Sequence, residues 1–312
     1  MELKQKEWYI QAPWGRIALI AWGDCWDPPV LLCHGRVDTA MGFKPLVKLL
    51  PRNFYYIGLD LPGNGKSDPY PPGLMISAYD IIYALRTVVL HFRWKQFVFM
   101  AHSLGTLLGK LYNLCYPGGI SKLIDIEPTA AHRSITPEEF SQWYHQHFTT
   151  YFQKYHKLTS PSDFAPKYSY DKVCIRLNFL KKNRGLPDEA VHDILERITR
   201  DAGDGVVRFT FDQRFKIINH PPFPPAQIKQ LYCGMTTPTL AILAEDSIKK
   251  GLYDKTLIAM DESAYPHKNY RYRRFEGIHD IHIITPELIA PCISAFLLYG
   301  LDGLDGKGYA KL

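Results

Sequence analysis

The chain has 312 residues, 46% hydrophobic and 22% charged, with a formal net charge of +6. This apolar content excludes a disordered chain, the length leaves room for two domains, and no apolar run reaches the roughly 18–20 residues of a membrane span. The positive charge is spread thinly without a nucleic-acid motif, and the six cysteines (Cys25, Cys33, Cys115, Cys174, Cys233, Cys292) have no metal-ligand spacing. No nucleic acid, metal or cofactor is therefore expected.

In chain order, strand-like runs fall at about 7–11, 16–21 and 29–33, the last breaking at His34-Gly35-Arg36. A helix is expected over 42–50 and a strand over 54–59, which runs into Gly58-Leu59-Asp60-Leu61-Pro62-Gly63-Asn64-Gly65-Lys66-Ser67. A helix over 77–92 leads to a strand over 96–100 and then to Ala101-His102-Ser103-Leu104-Gly105, with a helix following over 104–116. Strand, small-x-Ser-x-Gly, helix is the context of a nucleophile elbow, whose turn is so tight that the two flanking positions must be small. Ser103 is thus the candidate nucleophile. The Arg36 and Leu104 backbone N–H groups are the candidate oxyanion donors. His34 reads chiefly as a prop for its loop; it, His102, Trp143 and Phe148 are the residues expected around the substrate.

An elbow of this type has its acid and then its histidine later in the chain. A strand over 122–126 ends at Glu127, and one over 239–244 ends at Glu245-Asp246. Asp246 is preferred as the acid because its shorter side chain gives a tighter bond to an imidazole, with Glu127 and Glu245 as alternatives. A helix over 251–262 and a strand over 270–275 precede His279, the candidate base by its place two residues after Gly277. His282 is its competitor, placed to pack against the final helix over 285–299. The Arg271, Arg273 and Arg274 patch reads as the polar face of an edge strand, with a phosphate contact as the alternative.

The strand–helix rhythm stops between 130 and 228, where helical patterns lie at 136–156 and 187–200 and the first carries many aromatics. The expected division is a strand–helix core over 1–129 and 229–300, a helical cap over 130–228 lining an apolar pocket, and a flexible tail over 301–312. The tail ends in Ala310-Lys311-Leu312, one small residue away from the Ser-Lys-Leu peroxisomal address. An import receptor and a peroxisomal location are the expectation, with the cytoplasm as alternative.

His34-Gly35-x-x-Asp38, Gly58 to Ser67, the elbow, and Phe211-Asp212-Gln213-Arg214 together resemble the α/β-hydrolase fold. Within it they are most similar to the kraken-like group of animal serine hydrolase-like proteins, over residues from about 8 to 298. The resemblance implies a mostly parallel central sheet with helices on both faces and an inserted helical cap. It implies a serine hydrolase acting through an acyl-enzyme on an ester or thioester of apolar character, without a cofactor. The alternative is a non-catalytic protein that keeps the pocket for binding. Two positions depart from the relatives' pattern: Ala101 stands for the usual Gly, and Arg36 where an aromatic residue is common. A serine at the elbow argues against dehalogenase and epoxide hydrolase chemistry, which use an aspartate there.

Overall fold

The computed structural model describes residues 4–73, 75–160, 164–180 and 186–306. Its centre is an eight-stranded sheet built from β1 (Gln5–Ala12), β2 (Gly15–Trp22), β3 (Pro29–Cys33), β4 (Tyr55–Leu59), β5 (Phe97–His102), β6 (Ile120–Ile126), β10 (Thr239–Ala244) and β11 (Tyr270–Phe275). The order is β1-β2-β4-β3-β5-β6-β10-β11. The β1–β2 and β2–β4 pairs are antiparallel and all other neighbours are parallel.

The central strands read as continuous apolar runs because both faces of the sheet are covered. Alternate side chains of one strand enter different cores. Leu31 and Cys33 of β3, with Phe97, Phe99 and Ala101 of β5, pack under the helices Ala78–Phe92 and Leu104–Cys115. Val30, Leu32, Val98 and Met100 face the helix Pro286–Tyr299 on the other side. Each of the Val, Leu, Phe and Met side chains among them contributes about 1.5–3 kcal/mol by its burial. The Ala78–Phe92 helix starts on a capping box, in which Ser77 and Asp80 satisfy each other's backbone N–H groups.

The stretch between β6 and β10 is not wholly helical, as the sequence led one to expect. Beside the helices Tyr170–Leu180 and Asp188–Ile198 it holds a small antiparallel sheet, ordered β7 (Tyr168–Ser169), β9 (Val206–Phe209), β8 (Thr199–Asp201). The strands are two to four residues long, too short to leave an alternating pattern. The expected helix over 251–262 is also absent; short 3₁₀ turns at Leu257–Met260 and Glu262–Ala264 replace it.

Two sequence motifs fasten this cap to the core. Buried Arg197 donates to Asp60 at 2.7 Å and to Glu7 at 2.8 Å, while Asp60 also accepts the Ala40 and Lys66 N–H groups. Asp212 pairs with Arg214 at 2.7 Å, its N–H reaches the Gly63 carbonyl, and Arg214 donates to the Tyr70 and Pro71 carbonyls. The Gly58–Ser67 loop is thus a docking platform for Phe211–Arg214. At the C-terminus, Leu301–Leu304 forms a helical turn instead of a loose tail, and the adjacent Asp305 is bound by Arg271 at 2.7 Å. Ala310, Lys311 and Leu312 lie outside the described residues. No described helix is long and apolar enough to cross a membrane.

Candidate active site

The parallel strands deliver their carboxyl ends to one rim of the sheet, where open α/β sheets bind ligands. Ser103 stands there between β5 and the helix Leu104–Cys115, at φ 51° and ψ −114°. This conformation is costly for a residue with a side chain, by about 1–3 kcal/mol, and is held by its surroundings. The Ser103 N–H donates to the Ile126 carbonyl at 3.0 Å, tying the elbow to the end of β6. Gly105 is required by space: a Cβ there would stand 2.3 Å from the Cys33 carbonyl oxygen. Buried Ala101 fits among core residues with its one methyl group.

Glu127 follows β6 and also has a positive φ, 53°. Its carboxylate is fully buried and collects four donors. Oε1 accepts the Ala244 N–H at 2.6 Å and the Tyr253 hydroxyl at 3.3 Å; Oε2 accepts the Ser247 hydroxyl and His279 Nδ1, the latter at 2.9 Å. Burial, and next the Glu127 charge, push the Tyr253 phenol well above its usual range, so it stays a neutral donor. With Nδ1–H given to Glu127, His279 Nε2 carries the lone pair, and it lies 2.9 Å from Ser103 Oγ. Serine, imidazole and carboxylate form one continuous hydrogen-bonded line.

The carboxylate on His279 is therefore Glu127 and not Asp246. Immediately after β10 the chain turns into the helical segment Glu245–Lys249, which aims Asp246 at Lys250, 2.6 Å away. Glu245 leans the other way and takes both arms of Arg274 at 2.8 Å. What the end of β10 offers the histidine's partner is a backbone donor, the Ala244 N–H. Ser247 and Tyr253, the other two donors, carry no motif that sequence reasoning could have found.

The loop after β3 closes the other side. A Cβ on Gly35 would stand 3.0 Å from His102 Nδ1 and 3.2 Å from the Ser103 Cβ, crowding that the glycine avoids. Val37, two residues on, is a β-branched residue at φ 54°, a further strained position in this loop. Among the described residues, neither the Arg36 nor the Leu104 N–H is given to another acceptor, and the Leu104 N–H opens a helix. His34 is not a substrate contact. It is buried, its Nε2 accepts the Leu61 N–H at 2.9 Å, and its Nδ1 binds the Gly35 carbonyl at 2.7 Å.

His102 is likewise removed from the substrate. Its Nε2 meets the His279 carbonyl at 2.8 Å, so the residue before Ser103 braces the loop that carries His279. His282 packs beneath it, ring centroids 4.1 Å apart, and against Phe43. Asp38, His102 and His282 bring ligand-type atoms within 4.8 Å of one another, the one such trio among the described residues. It is buried, and the His102 bond to the His279 carbonyl gives it a bracing role.

A model of the alpha/beta hydrolase fold family matches residues 28–203. The chain belongs to this family. It is 30% identical to human serine hydrolase-like protein 2 over 66% of its length and 63% of the relative's. It is 27% identical to the mouse serine hydrolase-like protein over 97% of both chains. Among solved structures, a hypothetical protein of Pseudomonas aeruginosa PAO1 matches 95% of this chain and 100% of its own, with a TM-score of 0.75 and 19% identity. That last likeness establishes the fold alone.

Ser103 and His279 open into a cavity of about 660 Å³ in this α/β-hydrolase fold. Trp143 lines it; Phe148 does not, and instead supports Trp143 edge-on at 5.6 Å. The wall is not the apolar surface the aromatic stripe suggested. Beside Leu104, Ile135 and Trp143 stand Arg36, Arg133, His132 and His220. Burial pushes both of these histidines down to about 3, helped at His132 by Lys110 and at His220 chiefly by Arg133, so both are neutral at ordinary pH. The Arg271–Arg274 patch lies on edge strand β11, where carboxylates pair with all three arginines: Glu262 and Asp305 with Arg271, Glu262 with Arg273, Glu245 with Arg274.

Proposed function

We propose that the protein is a serine hydrolase that cleaves a carboxylic ester or thioester through an acyl-enzyme on Ser103. The observation that carries this reading is the line Ser103 Oγ–His279 Nε2, His279 Nδ1–Glu127 Oε2, with 2.9 Å at each step. Ser103 Oγ attacks the carbonyl carbon as its proton passes to His279 Nε2. The imidazolium so formed is stabilised by Glu127, already fixed by the Ala244 N–H and two hydroxyls. The oxygen of the tetrahedral intermediate turns toward the Arg36 and Leu104 N–H groups. One such donor is typically worth about 2.7–4 kcal/mol. Collapse expels the alcohol or thiol, which takes the proton from His279. Water, deprotonated by the same nitrogen, then releases the carboxylic acid and restores Ser103.

A pocket kept only for binding needs neither the strained elbow nor a buried carboxylate behind the imidazole, and this favours catalysis. The test is partitioning. With methanol present, esters of one acyl group but different leaving groups should give the same ratio of methyl ester to free acid, because all pass through one acyl-enzyme. A ratio that changes with the leaving group would rule the acyl-enzyme out. On the sequence alone, Ala310-Lys311-Leu312 is proposed as a peroxisomal address.

A further inference from the structure

We propose that the ester or thioester cleaved at Ser103 carries an anionic oxygen group, a carboxylate or a phosphate, which Arg36 and Arg133 bind within the cavity. This rests on the hydrolase reading above and names its substrate class.

Four cationic side chains line the cavity. Two are neutralised: Lys250 by Asp246 and Lys255 by Glu139. The other two are not. Arg36 has one long hydrogen bond to the Lys216 carbonyl at 3.5 Å, and neither Arg36 nor Arg133 meets a carboxylate among the described residues. Both are exposed at the cavity mouth, and the two charges act on each other: partial desolvation by the cavity wall and then Arg133 lower the affinity of Arg36 for its proton. Like charges gathered at the mouth of a cleft are unfavourable until an anion joins them, and a guanidinium matches carboxylate and phosphate in bidentate fashion.

Neutral polar atoms point to the same ligand chemistry. The His132 ring, the Ser134 hydroxyl and the Trp143 indole N–H sit on the cavity wall at 4%, 6% and 8% exposure. Both ring nitrogens of His132, Ser134 Oγ, Trp143 Nε1 and His220 Nδ1 have no hydrogen-bond partner among the described residues. A buried polar group left so costs about 1–3 kcal/mol. The donors among them, the Ser134 hydroxyl, the Trp143 indole N–H and one ring N–H of neutral His132, stand beside two unneutralised arginines and suit a ligand rich in acceptor oxygens.

Two matched substrate pairs locate the anion. Mono-p-nitrophenyl glutarate against p-nitrophenyl valerate places a carboxylate on the acyl side. Butyryl-coenzyme A against the N-acetylcysteamine thioester of butyrate places phosphates on the leaving group. In one pair the anionic member should lead in kcat/KM by about tenfold or more. That ratio should shrink as salt rises, and fall toward one in Arg133→Gln and in Arg36→Gln. Binding of glutarate and of inorganic phosphate to the full chain, measured by calorimetry, reads the same site without catalysis and should be weakened at least tenfold by Arg133→Gln. Ratios near or below one in both pairs, or unchanged in Arg133→Gln, overturn the proposal while leaving the hydrolase reading intact. Anion binding that needs Arg133, without hydrolysis of any of the four compounds, keeps the anion site and removes the hydrolase reading.

Discussion

Ser103→Ala should lower kcat/KM for ester hydrolysis by roughly 10⁴–10⁶-fold, the range lost when a nucleophilic serine is removed from a working triad. That corresponds to about 5–8 kcal/mol of transition-state stabilisation. The melting temperature should hardly move. Ser103 contributes one hydrogen bond through its side chain, to His279, and the strain at φ 51° is the same for alanine. The fold around it is secured by the Ser103 N–H to the Ile126 carbonyl and by the close passage of Gly105 over the end of β3, which the substitution leaves alone. Steady-state hydrolysis beside a thermal melt checks both halves. A large fall in melting temperature would mean that activity was lost through unfolding.

Glu127→Gln should cost about 10⁴-fold in kcat, since a neutral amide cannot stabilise the imidazolium and holds the wrong tautomer. It should also lower stability by about 1–3 kcal/mol, because one end of the amide brings N–H groups toward donors that need an acceptor. Those donors are the Ala244 N–H with Tyr253 on one oxygen, and Ser247 with His279 on the other. Asp246→Asn removes a partly exposed ion pair with Lys250, an interaction worth about 0–1 kcal/mol, and should change kcat only a few-fold. Side-by-side kinetics of the two variants decide the assignment. The reverse ranking would return the acid to the end of β10.

All eight strands of the main sheet were legible: the inner ones because strands buried on both faces must be apolar, and the edge strands β1 and β11 because aromatic or aliphatic residues alternate there with polar ones. The elbow was legible for a steric reason: Gly105 has no room for a methyl group against the Cys33 carbonyl. The acid was not. β6 and β10 are neighbours, so Glu127 and Asp246 both stand just past a strand end above the same site. What separates them is the direction of the chain afterwards, a helical turn that sends Asp246 to Lys250 while Glu127 is held at a positive φ beneath His279. A one-dimensional pattern carries no such direction. The cavity wall was hidden similarly. Arg36, Arg133 and His220 come from three segments far apart in the chain, and no spacing announces their meeting. The aromatic stripe drew attention to an apolar pocket, yet only Trp143 of Trp143 and Phe148 reaches it.

The most direct test of the central claim, that Ser103 is made nucleophilic by His279 and Glu127, is labelling of the native chain with a fluorophosphonate followed by intact mass and peptide mapping. A single adduct on Ser103 is expected, formed far more slowly in His279→Ala and Glu127→Gln and absent from Ser103→Ala. A native chain that takes no label, or takes it equally well without His279, would contradict the claim.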